Sequence, residues 1–198
     1  MYVARILYPV EVLGPGKRIG IWFCGCPRRC KGCSNPELWE FQEKYQTTPE
    51  KIYKMIRTIA GENTVEGFTI TGGDPMVQSE DLQKLLIMLR RISKDILVYT
   101  GYQKEELNEE QLKNVAVLID GEYIEERNTD CILRGSDNQR IYVLDEALCD
   151  KYEKYFAAYK NQIQNFMTVD GVVSVGIHKP VFIHELNETV SGKGINNI

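Results

Sequence analysis

Four of the six cysteines lie within ten residues, in the segment WFCGCPRRCKGCSN (residues 22–35). Cysteines spaced this closely can form a disulfide, act as a redox pair, or bind zinc or an iron–sulfur cluster. The start of the chain lacks the apolar centre of a signal peptide, so we expect a cytosolic protein. In that compartment clustered cysteines bind metal or do redox chemistry more often than they form disulfides. The two distant cysteines, Cys131 and Cys149, are expected to be buried thiols.

The spacing within this segment favours an iron–sulfur cluster. Cys26, Cys30 and Cys33 follow a C-x3-C-x2-C pattern. Structural zinc usually takes four ligands from paired knuckles, and only one C-x2-C pair is present here. A [4Fe–4S] electron carrier usually has four thiolate ligands, so three thiolates would leave one iron open to a substrate or a cofactor. Cys24 lies too close to Cys26 to reach the same cluster easily, and we assign it to packing.

Charge and hydropathy limit the partners that this chain can have. The net charge of -4 gives no overall attraction to nucleic acid, and we expect no such partner. No apolar run reaches the about 18 residues of a membrane span, so we expect no membrane partner either. Arg28, Arg29 and Lys31 lie between the cysteines, where they can favour thiolates or simply solvate the loop.

Alternating strand and helix patterns must position these cysteines. Apolar strands in a β-α-β-α order predict a parallel sheet covered by helices, joined by right-handed connections. Thr48 is a candidate N-cap for the first helix, which begins with Pro49. The predicted strands are residues 2–12, 18–24, 67–71, 95–101, 115–121 and 171–180, with one more at the end of 131–144, and the predicted helices are 48–61, 79–92, 104–112 and 145–163.

The length of the chain limits the fold class. A complete eight-unit barrel needs about 250 residues, and 198 residues suffice for roughly half to three quarters of one. We therefore predict an α/β fold: an open partial (β/α) barrel with a mostly parallel sheet covered by helices, and a C-terminal extension. We divide the chain into a barrel, residues 1–145, and a helix–strand extension, residues 146–198, packed on it. The ligand site should lie at the carboxyl ends of the strands, where Cys24, the Gly72–Gly73 pair, Thr100 and Asp120 fall.

The motif TITGGDP (residues 69–75) adds a second feature to the predicted site. Glycines after a strand let the backbone approach a ligand closely, and the acid can bind an ammonium group by a charge-assisted hydrogen bond. With the cysteine loop, this motif resembles the radical S-adenosylmethionine (SAM) enzymes. The resemblance implies a [4Fe–4S] cluster on Cys26, Cys30 and Cys33, whose open iron binds SAM and cleaves it to a radical that abstracts hydrogen. It also implies SAM contacts from Gly32, Ser34, Thr71, Gly72, Gly73, Asp74 and Thr100.

Five segments narrow this resemblance to the activating enzymes of anaerobic ribonucleoside-triphosphate reductases. They are CGCPRRCKGCSNPELW, ITGGDP, VYTGY, VLIDGEY and LRGSDNQRI. Many radical SAM enzymes have an aromatic residue just before the last cysteine of the pattern. This chain has Gly32 there, which departs from the general pattern and matches this subgroup. The resemblance implies that the substrate is a glycine of a large partner reductase, which becomes a glycyl radical, and that a flavodoxin or ferredoxin supplies electrons. Under this resemblance, residues 134–140 are candidates for shielding the cluster or for contacting the partner. Their alternative interpretation is a polar turn.

Compact members of that family end soon after the equivalent of LRGSDNQRI, whereas this chain continues for more than fifty residues. Within them, Tyr152, Tyr155, Phe156 and Tyr159 predict the core-facing stripe of a helix, and His178 and His184 are expected to be structural or surface residues. The extension keeps other functions open. One alternative is a radical SAM enzyme that modifies a peptide or a small molecule. Another is a non-enzymatic iron–sulfur carrier or zinc-binding module.

Overall fold

The strands form one six-stranded sheet and one two-stranded sheet. The computed structural model describes residues 1–168 and 171–179. The large sheet has the order β1-β2-β3-β4-β5-β6, and β7 and β8 form the small one. The strands are β1 Val3–Val10, β2 Arg18–Phe23, β3 Gly67–Gly72, β4 Ile96–Tyr99, β5 Val117–Asp120, β6 Arg140–Val143, β7 Ile163–Thr168 and β8 Gly171–Gly176.

The centre of the large sheet is parallel, as the alternating pattern predicted. Strands β2, β3, β4 and β5 pair in parallel, while β1 runs antiparallel to β2 and β6 antiparallel to β5. The longest parallel register runs from Arg18 opposite Gly67 to Phe23 opposite Gly72. The prediction of a mixed α/β fold with a mostly parallel sheet and helices is confirmed. The carboxyl ends of four neighbouring strands therefore meet at one edge of the sheet.

Four α-helices accompany the strands: α1 Pro49–Glu62, α2 Ser79–Leu89, α3 Glu109–Leu112 and α4 Cys149–Ala158. The first begins as predicted, because the Thr48 hydroxyl accepts a hydrogen bond from the Lys51 amide. Apolar side chains at helical spacing on α1 and α2 are buried in the main core, and they are Ile52, Ile56, Leu82, Leu85, Leu86 and Leu89. None of the described helices has the length and apolarity to cross a bilayer.

A buried ion pair connects α4 to the sheet. The Arg18 guanidinium, fully buried, donates to Asp95 Oδ1 at 3.0 Å, and Tyr152 Oη donates to the same oxygen at 2.8 Å. Lys151 Nζ donates to Asp95 Oδ2 at 2.6 Å. Because two of these partners come from α4, this helix is part of the network that satisfies the charge of Asp95.

Two predicted helices differ from the observed structure. Residues 104–112 form a 3-10 turn, Lys104–Glu106, and then the single turn α3, because the Asn108 side chain caps a new helix between them. The predicted helix 145–163 ends at Ala158, and Ile163 begins β7 instead of completing the helical stripe. Pairing with β8 outweighs the helical pattern there. His184 and the end of the chain lie outside the described residues.

Candidate functional site

One cavity lies at the carboxyl ends of β2, β3, β4 and β5, and most of the predicted site residues border it. The residues predicted from the sequence that line this cavity are Cys26, Cys30, Cys33, Ser34, Thr71, Gly72, Gly73, Asp74 and Thr100. The structure thus brings together two segments that are about forty residues apart in the sequence. Parallel pairing of β2 with β3 accounts for this, because it places both loops at the same edge.

Gly32, the remaining predicted contact of SAM, does not border the cavity. Its φ is +70°, a conformation that favours glycine, and a Cβ atom there would lie 2.4 Å from Glu125 Oε1. The absence of a side chain at this position is therefore explained by backbone conformation and by contact with the 3-10 turn Glu125–Arg127.

Main-chain hydrogen bonds join the cysteine loop to the glycine motif. The Gly73 amide donates to Phe23 O at 2.8 Å, and the Asp74 amide donates to Gly25 O at 2.8 Å. A Cβ atom on Gly73 would lie 2.5 Å from Gly25 O. The glycine pair therefore permits the close approach of the cysteine loop itself, in addition to bordering the cavity.

Asp74 connects the ends of β3 and β4. Its side chain is 1% exposed, and its Oδ1 accepts from Thr100 Oγ1 at 2.8 Å and from the Met76 amide at 3.1 Å. Its Oδ2 accepts from the Gly101 amide at 2.9 Å. Burial raises the pKa of Asp74, and these three hydrogen bonds oppose that rise. The carboxylate thus fixes the loop geometry around the cavity.

Three thiols border the cavity, but the described residues do not form a site for a single metal ion there. Among the described residues, no group of three or more His, Cys, Asp or Glu side chains could hold a single ion. A four-iron cluster places each thiolate on a separate iron, and so it needs a wider arrangement of ligands than zinc does. Cys26, Cys30 and Cys33 are free thiols, each partly exposed. Burial raises the pKa of Cys30 and of Cys33, so in the metal-free chain these thiols hold their protons.

The basic side chains of the cysteine loop pair with carboxylates rather than with thiols. The sequence left two roles open for them, support of thiolates and solvation of the loop, and these ion pairs favour the second. Arg28 also lies over the Tyr102 ring, 4.6 Å from its centroid. The ion pairs are Arg28–Glu106, Arg29–Glu40, Lys31–Glu125 and Lys31–Glu126. A bound metal would itself remove the proton from a coordinating thiol.

Two buried donors border the cavity, and one of them has no partner. Arg28 Nε is shielded from solvent and meets no acceptor at hydrogen-bonding geometry among the described residues. Trp39 Nε1 is also shielded, and its hydrogen bond to Cys33 opposes the rise in the pKa of that thiol. Both side chains border the cavity. A buried donor without a partner is costly, so a ligand with an acceptor at this position would relieve the cost. The cysteine loop and the loop that begins with Gly72 and Gly73, together with these donors, fit a bound cluster and a polar cofactor.

The structure identifies further lining residues, some in the predicted shielding segment and some that the sequence patterns missed. Gly135 and Gln139, from the predicted shielding segment, border the cavity, and Gln139 Nε2 donates to Gly121 O at 2.8 Å. The arginines of that segment bond elsewhere: Arg140 pairs with buried Asp120 at 2.6 Å. The remaining lining residues are Leu13, Trp22, Asn35, Tyr99, Gly101, Gly121, Tyr123 and the run Ser174, Val175, Gly176, Ile177 and His178.

Asp120 and Cys24 do not border the cavity. The carboxylate of Asp120 accepts from the Lys104 amide and from Arg140, so it organises the turn after β5. The Cys24 side chain is fully buried, and its Sγ donates to Glu40 O. The fourth cysteine of the segment is therefore separated from the three cavity thiols.

Comparison with known proteins gives a family match and several relatives. The family described as "4Fe-4S single cluster domain" matches residues 12–142. The chain is 35% identical over 142 residues to the anaerobic ribonucleoside-triphosphate reductase-activating protein of Enterobacteria phage T4, which covers 69% of this chain and 90% of the relative. It is 32% identical over 148 residues to the protein of that name from Escherichia coli K12, covering 69% and 96%. It is 28% identical over 132 residues to a pyruvate formate-lyase-activating enzyme of Clostridium pasteurianum, covering 63% and 56%.

Proposed function

The chain belongs to the family of anaerobic ribonucleoside-triphosphate reductase-activating proteins, and we propose that it generates a glycyl radical on a partner reductase of that kind. It is an enzyme that uses a [4Fe–4S] cluster and SAM. When bound, the reduced cluster and SAM supply the radical that removes a hydrogen atom from the target glycine.

The observation that carries the proposal is the meeting of three free thiols and the Gly72–Asp74 loop in one cavity. We propose that Cys26, Cys30 and Cys33 hold the cluster. The cavity contains no fourth cysteine among the described residues, because Cys24 is buried elsewhere. Three thiolate ligands leave a coordination position for the cofactor, by the principle that distinguishes open catalytic metal sites from closed structural ones.

The polar residues of the cavity would bind and orient SAM. We propose Ser34, Thr71, Gly72, Gly73 and Thr100 as its neighbours, because they border the same cavity as the thiols. The Gly32 contact stays a prediction, and its support is weaker because the residue faces Glu125.

Asp74 acts here mainly through the loops that it connects. Both of its carboxylate oxygens accept hydrogen bonds from this chain, and the side chain is almost completely buried. An ammonium group would therefore meet a carboxylate that is already oriented, and binding would cost little further ordering. The unpartnered Nε donor of Arg28 would bond an acceptor of the bound groups.

The barrel architecture, the division of the chain, the cellular location and the electron donor are proposals that rest on the resemblance. We propose that the six-stranded sheet is the open partial barrel of radical SAM enzymes, that residues 1–145 form it, and that residues 146–198 are an addition. We also propose a cytoplasmic location and a reduced flavodoxin or ferredoxin as electron donor. The open side of such a barrel would admit a loop of a large protein, which suits a protein substrate better than an enclosed site would.

Anaerobic reconstitution with iron and sulfide tests the chemistry. We expect a brown protein with about four irons, as a [4Fe–4S] cluster requires, that forms 5′-deoxyadenosine from SAM under strong reductant. A colourless protein that binds one zinc ion and leaves SAM intact would contradict the proposal. A peptide or small-molecule product without any glycyl radical would favour the alternative radical SAM function.

A further inference from the structure

The β7–β8 hairpin forms a wall of the cavity, although it lies beyond the family match. That match ends at residue 142, whereas the hairpin spans Ile163–Thr168 and Gly171–Gly176. Residues 174–178 nevertheless border the same cavity as the three thiols. The chain therefore has a boundary at its site that the matched domain does not supply.

The hairpin is fixed to the body of the protein on its inner face. Val175 is 3% exposed and packs in a core cluster with residues of β1 and β2, among them Val10 and Trp22. From β7, Gln164 Nε2 donates to Pro9 O at 2.7 Å, and Gln164 Oε1 accepts from the Glu11 amide at 3.0 Å. The wall is thus held by both apolar packing and main-chain contacts.

Strand β8 presents its edge to the cavity. A strand that faced the cavity with one surface would contribute only alternate residues, because successive side chains point to opposite sides. Here three consecutive residues of β8, Ser174 to Gly176, border it, followed by Ile177 and His178 beyond the strand. The opposite edge of β8 pairs with β7. The cavity therefore lies along the edge of β8 that, in the described part of the chain, no other strand covers.

The main-chain groups on that edge can be identified from one hydrogen bond. The Gly171 carbonyl accepts from Thr168 Oγ1 at 2.9 Å, so Gly171 turns its polar groups toward β7. In an antiparallel ladder this orientation alternates, so Val172, Ser174 and Gly176 turn their main-chain groups away from β7. Among the described residues, no backbone–backbone hydrogen bond outside the β7 ladder involves these three.

We propose that this edge of β8 binds the glycine-bearing segment of the partner reductase as an added strand. The inference rests on the proposed function, which requires a glycine of the partner to reach the cavity. Strand addition recognises a peptide through its main chain, so it accepts a glycine, which has no side chain to hold. The segment would pair from Val172 at the rim toward Gly176 beside the cavity.

A matched pair of proline variants tests this docking. Val172 and Met167 are partners in the β7–β8 register. Their main-chain amides point away from the ladder, toward opposite edges of the small sheet. V172P removes an amide from the proposed docking edge, and we expect the dissociation constant for the intact reductase to rise about threefold to tenfold, as expected for one lost hydrogen bond. M167P removes an amide from the other edge, and we expect no change in affinity. Slow amide exchange at Val173 and Val175 checks that the ladder survives in both variants.

The pattern of amide exchange in the wild-type protein gives a second readout. Saturating reductase should slow exchange at Val172, Ser174 and Gly176, and leave Val173 and Val175 unchanged because they already bond to β7. Equal affinities for V172P and M167P, or unchanged exchange along β8, would overturn the docking proposal while a glycyl radical still forms on the reductase. Tighter reductase binding by a chain that ends at residue 179 would also overturn it, because residues 180–198 would then be the occupant of the edge. Failure of the wild-type protein to form any glycyl radical would refute the proposed function instead.

Discussion

At the residue scale, the three cavity cysteines differ from Cys24 in exposure and in partners. Replacement of Cys26, Cys30 or Cys33 by Ala should abolish both the cluster and SAM cleavage, because each would hold a different iron. Iron content and the visible absorption of the reconstituted protein measure the first effect. C24A is the matched control and should keep its cluster, since Cys24 contacts Glu40 O rather than the cavity. Loss of iron from C24A, or SAM cleavage by any of the other three variants, would show that the ligands are misassigned.

Asp74 and Thr100 form the other residue-scale test. D74N places an amide where the buried oxygens accept from Thr100 Oγ1 and from the Gly101 amide, so one donor meets another. We expect the free energy of unfolding to fall by about 1–3 kcal/mol, and SAM affinity to fall with it. T100V removes only one of these bonds and should cost about 1 kcal/mol. Denaturant titration and equilibrium binding of SAM to the reconstituted protein measure both variants. Wild-type stability and affinity in D74N would mean that this carboxylate does not organise the site.

At the element scale, the approach of β3 to the cysteine loop depends on Gly73. G73A would place a Cβ atom 2.5 Å from Gly25 O, so the cysteine loop would have to move. We expect poor cluster incorporation, measured as iron bound per chain after reconstitution. G61A is the matched control, because a Cβ atom there meets nothing within 4 Å. Full iron loading of G73A would show that the loop tolerates displacement and that the glycine serves only the ligand.

The buried ion pair between Arg18 and Asp95 predicts that the stability of the fold depends on pH. Burial alone would raise the pKa of Asp95, but the Arg18 guanidinium, aided by Lys151, lowers it below its usual value. The resulting stability is present above the unfolded-state pKa of about 3.9 and is lost as the pH falls through the lower folded-state value. D95N should therefore lack this part of the acid-induced loss seen in the wild type. Unfolding curves between neutral and acid pH compare the two.

The same network gives magnitudes that separate its members. D95N leaves Arg18 buried without a counter-charge and should cost about 3–5 kcal/mol at neutral pH. Y152F removes one hydrogen bond from α4 and should cost about 1 kcal/mol. A larger loss for Y152F than for D95N would contradict the assignment of Asp95 as the centre of the network.

Local signals explain which elements the sequence predicted well. Thr48 followed by Pro49, with Ile52 and Ile56 on one face, defines α1 from its own residues. Strand β7 was missed because Tyr152, Tyr155 and Phe156 set a helical pattern that Ile163 happens to continue. Its strand conformation depends on pairing with β8, and that is a tertiary contact which no local pattern reports.

At the scale of the whole molecule, the site is only partly encoded in motifs. The cysteine loop and the glycine motif were found because their chemistry depends on residue types at fixed spacing. The edge of β8 could not be found in this way, because its contribution is main-chain polarity, which every sequence carries. Of the other lining residues, Arg28 lies between the cysteines themselves, and Gln139 lies in the segment 134–140 that was a candidate for cluster shielding. The cavity therefore combines the cysteine and glycine loops that the sequence predicted with a wall that only the fold supplies.

The central claim is that this chain transfers a radical to a glycine of a partner reductase. Electron paramagnetic resonance tests it most directly, after anaerobic incubation of the reconstituted protein with SAM, a strong reductant and the reductase. We predict a doublet from a stable glycyl radical on the reductase, absent without SAM and absent with the C30A variant. Cleavage of SAM at a full cluster with no radical signal on the reductase would contradict the claim.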